Sequence, residues 1–146
     1  MSFQAKRRAD YQPPAFSIAT VDLHITLHPT QTKVISTLSV TRNGAHDSPL
    51  VLDGDNLSLD SISINGTHLS DNEYTVTDSA LSVVTELDEF VLEITNTIAP
   101  EHNKALEGLY LSGGAYCTQC EAEGFRRITY FMDRPDVLSV YTVTVV

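Results

Sequence analysis

From Val21 to His28 the chain alternates without a break, with Val21, Leu23, Ile25 and Leu27 on one side and Asp22, His24, Thr26 and His28 on the other. A period of two is that of a strand with one buried face and one wet face. Pro29-Thr30-Gln31 reads as a turn, and Lys33 to Arg42 is rich in β-branched residues that suit a pleated surface, so the two segments are expected to form a hairpin. Further on, Leu50 to Gly54 and Leu57 to Ile64 are again strand-like. Their apolar phase moves from Leu57 and Leu59 to Ile62 and Ile64, as a bulge or a bend between two strands produces. Asn65-Gly66 is the strongest short hairpin signal, because a two-residue type I′ turn needs positive φ at both positions. Glu73–Thr77, Ala80–Thr85 and Glu89–Asn96 continue the meander between Asp- and Ser-containing turns. At least seven strands are expected before Pro100.

No part of the first hundred residues sustains a 3.6-residue period, and no internal repeat stands out. The expected fold is therefore all-β, an antiparallel β-sandwich. Ala99 to Tyr110 is expected to form a short helical or irregular crossing, Ser112-Gly113-Gly114 a turn, and Asp133 to Tyr141 a turn with one helical winding after Pro135. Tyr141 to Val146 is strand-like, and neither a turn nor a polar tail follows it. Such an ending leaves a hydrophobic edge that needs a partner, so the chain reads as a β domain, residues 1–146, truncated before its last strands.

At 146 residues the chain fits one domain, large enough to bury roughly 68–70% of its unfolded surface. Its net charge of −10, from 19 acidic against 9 basic side chains, argues against nucleic acid as a partner. The same field favours a cationic ligand such as a peptide amino terminus. Lys6, Arg7 and Arg8 are followed by no apolar stretch of the kind an export signal carries. No run approaches the roughly 18 apolar residues of a membrane span. Two cysteines without an export signal suggest a reducing cytoplasm.

Tyr116 to Asp136, "YCTQCEAEGFRRITYFMDRPD", is dense in polar residues and holds both cysteines. Cys117 and Cys120, in C-x-x-C spacing, could supply half of a zinc site or a dithiol. Zinc would need two further ligands, and His24, His28, His46, His68 and His102 show no paired ligand spacing; two small buried thiols are the plainer reading. A purely structural reading pairs Glu121 and Glu123 with Arg126, Arg127 or Arg134 on a solvated face.

A third reading rests on a longer pattern. Leu106-Glu107-Gly108-Leu109-Tyr110, then Gln119-Cys120-Glu121-Ala122-Glu123-Gly124-Phe125-Arg126, then Asp133-Arg134-Pro135-Asp136, together with the Asp10-Tyr11 pair before the first strand, resemble the end and the opening of the amino-terminal β domain of aminopeptidase N. That family comprises bacterial alanyl aminopeptidases of the zinc gluzincin class. The resemblance is concentrated in residues 103–146. It implies that Gln119 and Glu121 reach into an active site completed by a separate catalytic domain. Glu121 would accept hydrogen bonds from the substrate's α-ammonium, and Gln119 would line the pocket for the first side chain. The chemistry is coherent: an α-amino group has a pKa of about 7.7–8.0 and is largely cationic at neutral pH. A fixed carboxylate then makes a charge-assisted bond that an internal peptide nitrogen cannot reproduce.

Glu123, Arg126, Arg127, Asp133, Arg134 and Asp136 are expected to serve as supporting or domain-junction ion pairs, while Glu107 and Tyr110 have no assigned role. The family's H-E-x-x-H zinc helix and its G-x-M-E-N motif are absent from this sequence. The resemblance therefore implies a substrate-recognition domain, inactive alone, with peptide amino termini and the enzyme's own catalytic domain as partners and zinc only in the full-length enzyme. The competing reading from another class is a free-standing β-sandwich binding module, in which Gln119 and Glu121 have no peptide-related role.

Overall fold

The computed structural model describes residues 7–146. Among these residues eleven strands form three sheets. The largest contains β1 (Phe16–Thr26), β2 (Thr32–Arg42), β4 (Ser58–Ile64), β5 (Thr67–His68), β8 (Glu89–Ile98) and β11 (Val140–Val145), in the order β11-β1-β2-β8-β4-β5. The second holds β3 (Leu50–Asp53), β6 (Tyr74–Val76) and β7 (Ala80–Val83), in the order β3-β7-β6. The third is the hairpin of β9 (Gly108–Ser112) and β10 (Ala115–Gln119). Among the described residues the helical elements are 3-10 turns at Arg8–Asp10, Pro100–His102 and Phe125–Arg127.

The alternation read at Val21–His28 belongs to a longer strand. β1 starts at Phe16, and a register shift between Ile18 and Thr20 resets the phase, so that Phe16 and Ile18 as well as Val21, Leu23 and Ile25 are buried. The turn to β2 is closed by its own side chains. His28 Nδ1 accepts from the backbone N–H groups of Thr30 and Gln31 at 3.3 and 3.1 Å, and Thr32 Oγ1 donates to the His28 carbonyl at 2.6 Å. The apolar phase change in Leu57–Ile64 is a bulge between Leu59 and Ser61 within one strand. Asn65 and Gly66 take φ of +49 and +80 and connect β4 to β5.

The core lies between the inner face of the large sheet and the β3-β7-β6 sheet. Leu38 of β2, Leu92 and Ile94 of β8, Leu50 and Leu52 of β3, and Leu81 and Val83 of β7 are completely buried in one cluster. Burying side chains of this size is worth about 1.5–3 kcal/mol each, so this layer is what holds the two sheets together. The segment 128–132 closes one end of the layer, with Ile128, Tyr130, Phe131 and Met132 buried and Phe131 bridged to Asp53 of β3 by two backbone hydrogen bonds of 2.8 and 3.1 Å.

Three expectations need correction. Gly108–Ser112 is strand β9, not part of an irregular crossing; only Pro100–His102 of that stretch is helical. After Pro135 the chain makes a turn closed by Val137 N–H to the Arg134 carbonyl at 3.2 Å, without a helical winding. The large sheet is antiparallel except at one edge, where β11 runs parallel to β1. A parallel neighbour requires a long crossover, and everything between β2 and β11 supplies it. Tyr141, Val143 and Val145 stand opposite Val21, Leu23 and Ile25 and so share the core-facing side, yet they are 43–56% exposed because the second layer does not extend beneath β11.

Candidate recognition site at the end of the third hairpin

β9 and β10 carry the polar segment out from the core. Their ladder ends with Gln119 opposite Gly108. Beyond Gln119 the chain turns back at once, with Gly124 N–H donating to the Cys120 carbonyl at 2.8 Å and the 3-10 turn Phe125–Arg127 following. The Glu121–Ala122 peptide bond is cis. The turn is this tight because its contacts exclude side chains: a Cβ on Gly124 would lie 2.4 Å from the Gln119 carbonyl oxygen and 3.0 Å from Cys120 Cα. Gly108, at φ +71, would meet Arg127 Cβ at 2.6 Å.

Both arginines of the turn point back into acidic residues. Arg126 donates from its backbone N–H and from Nε to Asp133 Oδ2 at 3.1 and 3.0 Å, and from Nη2 to the Asp133 carbonyl at 3.1 Å. It also lies 3.7 Å from Asp53 Oδ1 and 3.5 Å from Glu123 Oε2. Arg127 meets Asp55 Oδ2 at 2.6 Å and Glu107 Oε2 at 3.2 Å. Arg134 grips Asp136 through Nε and Nη2 at 2.9 and 2.7 Å, while Tyr11 Oη donates to Asp136 Oδ2 at 3.0 Å. The bonds from Arg134, reinforced by Tyr11, hold the Asp136 carboxyl down at about 2. Beneath the turn, Phe125, Phe131 and Tyr141 form an aromatic cluster with centroids 5.2–6.1 Å apart, tying the turn to strand β11.

Glu121 stands apart from this network. It is exposed, and its carboxylate makes no ion pair or hydrogen bond with the described residues; only its backbone carbonyl is used, accepting from Gln119 Nε2 at 3.2 Å. Gln119 is exposed as well. The structural reading that paired Glu121 with an arginine is thus replaced by a different one, in which Glu123 alone of the two takes Arg126. Glu107, which had no assigned role, is a partner of Arg127. Gln119 and Glu121 line neither the groove of about 1250 Å³ beside Tyr11, Glu123 and Arg134 nor the cavity of about 280 Å³ beside Asp55, His102 and Arg127. They sit on open surface.

Asp53 and Asp55 are the residues that sequence reasoning passed over. Asp53 ends strand β3 and Asp55 lies in the turn after it, and no spacing rule links them to arginines so far along the chain. The only available signal was the adjacency of Arg126 and Arg127, which required two separate anionic partners. Cys117 and Cys120 are both free thiols, half-buried. Burial, and secondarily Asp133, raises the Cys120 thiol above its usual value, the opposite of what a metal-binding or redox thiolate needs. Among the described residues no group of three or more His, Cys, Asp or Glu side chains is arranged to hold a metal ion. Nor is any helix long and apolar enough to cross a membrane.

Comparison with known proteins agrees with this geometry. Residues 10–146 match the Peptidase M1 N-terminal domain. The chain is 54% identical over 142 residues to aminopeptidase N of Caulobacter vibrioides and 44% identical over 146 residues to aminopeptidase N of Escherichia coli, covering 97% and 98% of this chain. It spans only 16% of the length of each. Among solved structures, Legionella pneumophila aminopeptidase A in complex with aspartic acid superposes with a TM-score of 0.87 at 34% identity, over 96% of this chain and 17% of that one. An M1 zinc metallopeptidase from Deinococcus radiodurans shares the fold at a TM-score of 0.74 and 21% identity, over 90% of this chain and 32% of that one. An all-β architecture, a match along nearly the whole length and the polar hairpin end together lead to one conclusion: the chain belongs to the peptidase M1 N-terminal domain family.

Proposed function

We propose that this chain is the substrate-recognition domain of a zinc-dependent aminopeptidase that releases amino-terminal residues from peptides, with Glu121 as the acceptor for the substrate's α-ammonium and Gln119 as part of the pocket for its first side chain. One observation carries the reading. In a segment where Glu107, Glu123, Asp133 and Asp136 each have an arginine partner, Glu121 has none among the described residues and faces outward. A carboxylate held on a braced turn and not neutralised from within the chain suits a cation that arrives from outside.

The division of labour follows from the same facts. Metal and water activation are assigned to a catalytic domain within the part of the relatives' length that this chain does not cover, and that domain is the partner that turns the open surface around Gln119 and Glu121 into a pocket. Discrimination against chain interiors then comes from Glu121. An internal peptide nitrogen brings no positive charge, and leaving the carboxylate desolvated without a partner costs about 1–3 kcal/mol or more. This makes the domain the part of the enzyme that measures one residue from the amino terminus. Peptide catabolism in the cytoplasm is the setting proposed for it, supported by two free cysteines.

Reading the coding sequence beyond Val146 tests the proposal directly. An in-frame H-E-x-x-H supports it, and the encoded enzyme can then be assayed with free and N-acetylated substrates. A stop codon at that point would leave a binding module and remove the catalytic assignment.

A further inference from the structure

Three side-chain polar atoms in the interior have no hydrogen-bond partner among the described residues: Ser36 Oγ, Asn96 Oδ1 and Thr129 Oγ1. All three residues are completely buried. They come from the paired strands β2 and β8 and from the stretch just after Arg126 and Arg127, which is bonded to β8. In the β2–β8 ladder Val34 stands opposite Asn96 and Ser36 opposite Ile94, so Ser36 and Asn96 are diagonal neighbours on the core-facing side. Thr129 follows Ile128 directly, and the carbonyl of Ile128 accepts from Asn96 Nδ2 at 3.0 Å, which brings its stretch of chain to Asn96. That bond also orients the amide, leaving Oδ1 as an acceptor aimed away from Ile128.

Buried polar atoms in native proteins are nearly always paired, and three orphans on neighbouring stretches of chain call for a common partner. Diagonal cross-strand neighbours are roughly 7–8 Å apart at the backbone, more than short Ser and Asn side chains close directly but a gap that one water spans with two hydrogen bonds. We infer that a single water molecule is a built-in ligand of this site. It donates one proton to Asn96 Oδ1 and the other to one of the two hydroxyl oxygens, and accepts the proton of the second hydroxyl. That gives it three bonds, the usual number for an internal water. Three neutral oxygens are too few for a hard cation, which takes six or more oxygen ligands. The water joins the central strands of the large sheet to Ile128 and Thr129, and so seats the root of the turn that carries Gln119 and Glu121 on the core.

The test is a crystal structure of the 146-residue protein at a resolution that shows ordered water, combined with a double-mutant cycle. The expected density is one water within hydrogen-bond distance of Asn96 Oδ1 and of both hydroxyls. A direct bond from Thr129 or Ser36 to Asn96 Oδ1, or an empty site, overturns the inference. In urea unfolding, Ser36→Ala and Thr129→Val should be non-additive by at least about threefold in the unfolding constant, as for groups that share a ligand. Strict additivity would count against a shared water.

Discussion

Arg126 and Asp133 are joined at three points, because the aspartate accepts both the backbone N–H and Nε of the arginine on one oxygen while its own carbonyl takes Nη2. Asp133 in turn donates its backbone N–H to Asp53 Oδ2 at 3.0 Å, so one cluster ties the turn after β10 to strand β3. The Asp133 side chain is only 12% exposed and that of Arg126 24%, so solvent screens this pair less than a surface pair.

Replacing Arg126 with Ala leaves Asp133 facing Asp53 and Glu123 with no guanidinium between them. The expected loss is about 2–3 kcal/mol of folding stability, in the range for charged hydrogen bonds that are partly buried. Arg126→Lys should recover only part of it, because an ammonium lacks the planar fork. Urea titration of the three proteins measures this, and an Ala variant within about 0.5 kcal/mol of the parent would show that the cluster contributes little.

Gly124→Ala is expected to destabilise by about 1–3 kcal/mol through overpacking. At φ −86 the backbone itself accepts alanine, so the whole effect is the clash with the Gln119 carbonyl and Cys120 Cα. The amide resonances of Gln119 and Cys120 should move in an NMR comparison; unchanged shifts there would mean that the turn yields without disturbing the site.

Asp136 is the residue through which acidity should act. Its carboxyl is lowered to about 2 by Arg134 and Tyr11, so its contribution is fully present above the ordinary carboxylate value and is lost as pH falls through about 2. The stability difference between parent and Asp136→Asn should therefore be constant above about pH 5 and shrink between about pH 4 and 2. A difference that stays constant down to pH 2 would mean that the carboxyl is not perturbed.

Glu121→Gln should leave stability within about 0.5 kcal/mol of the parent, since the carboxylate is exposed and has no partner among the described residues. In the enzyme proposed above, the same change should lower kcat/KM for free-amine peptides by about tenfold or more, the cost of one charge-assisted bond. Equal kcat/KM in the two enzymes would take amine recognition away from Glu121.

Burial raises the Cys120 thiol, so alkylation by iodoacetamide should be slow in the folded protein and should quicken on unfolding in urea. Mass spectrometry of the labelled peptides reads this, and rapid labelling of Cys120 at neutral pH would contradict the packing described.

Much of the fold was legible because it is written locally. The β1–β2 hairpin, the turn at Asn65-Gly66 and the long strand β8 each follow from alternation or from φ requirements within a few residues. Of the β9–β10 hairpin only the turn at Ser112-Gly113-Gly114 was legible. Gly108 and the Ser112-Gly113-Gly114 turn break the apolar period, and Gly108 is there for its close contact with Arg127, which no local pattern announces. At the site, the resemblance pointed to Gln119 and Glu121, but their neighbours' partners could not be read: Arg127 chose Asp55 and Glu107, and Arg126 chose Asp53, across separations that only the folded chain closes.

Which side chains face the core was settled along the chain, since a period of two is a property of the extended backbone and holds whatever the strand pairs with. Where each strand goes was not. β11 has the alternation of a half-buried strand, yet its direction beside β1 and the exposure of Tyr141, Val143 and Val145 depend on the crossover that delivers it and on where the second layer ends. The solitary position of Glu121 is likewise a tertiary fact: Glu107, Glu123, Arg126, Arg127, Asp133, Arg134 and Asp136 find partners in space, and a carboxylate is left facing outward only after those pairings have been made.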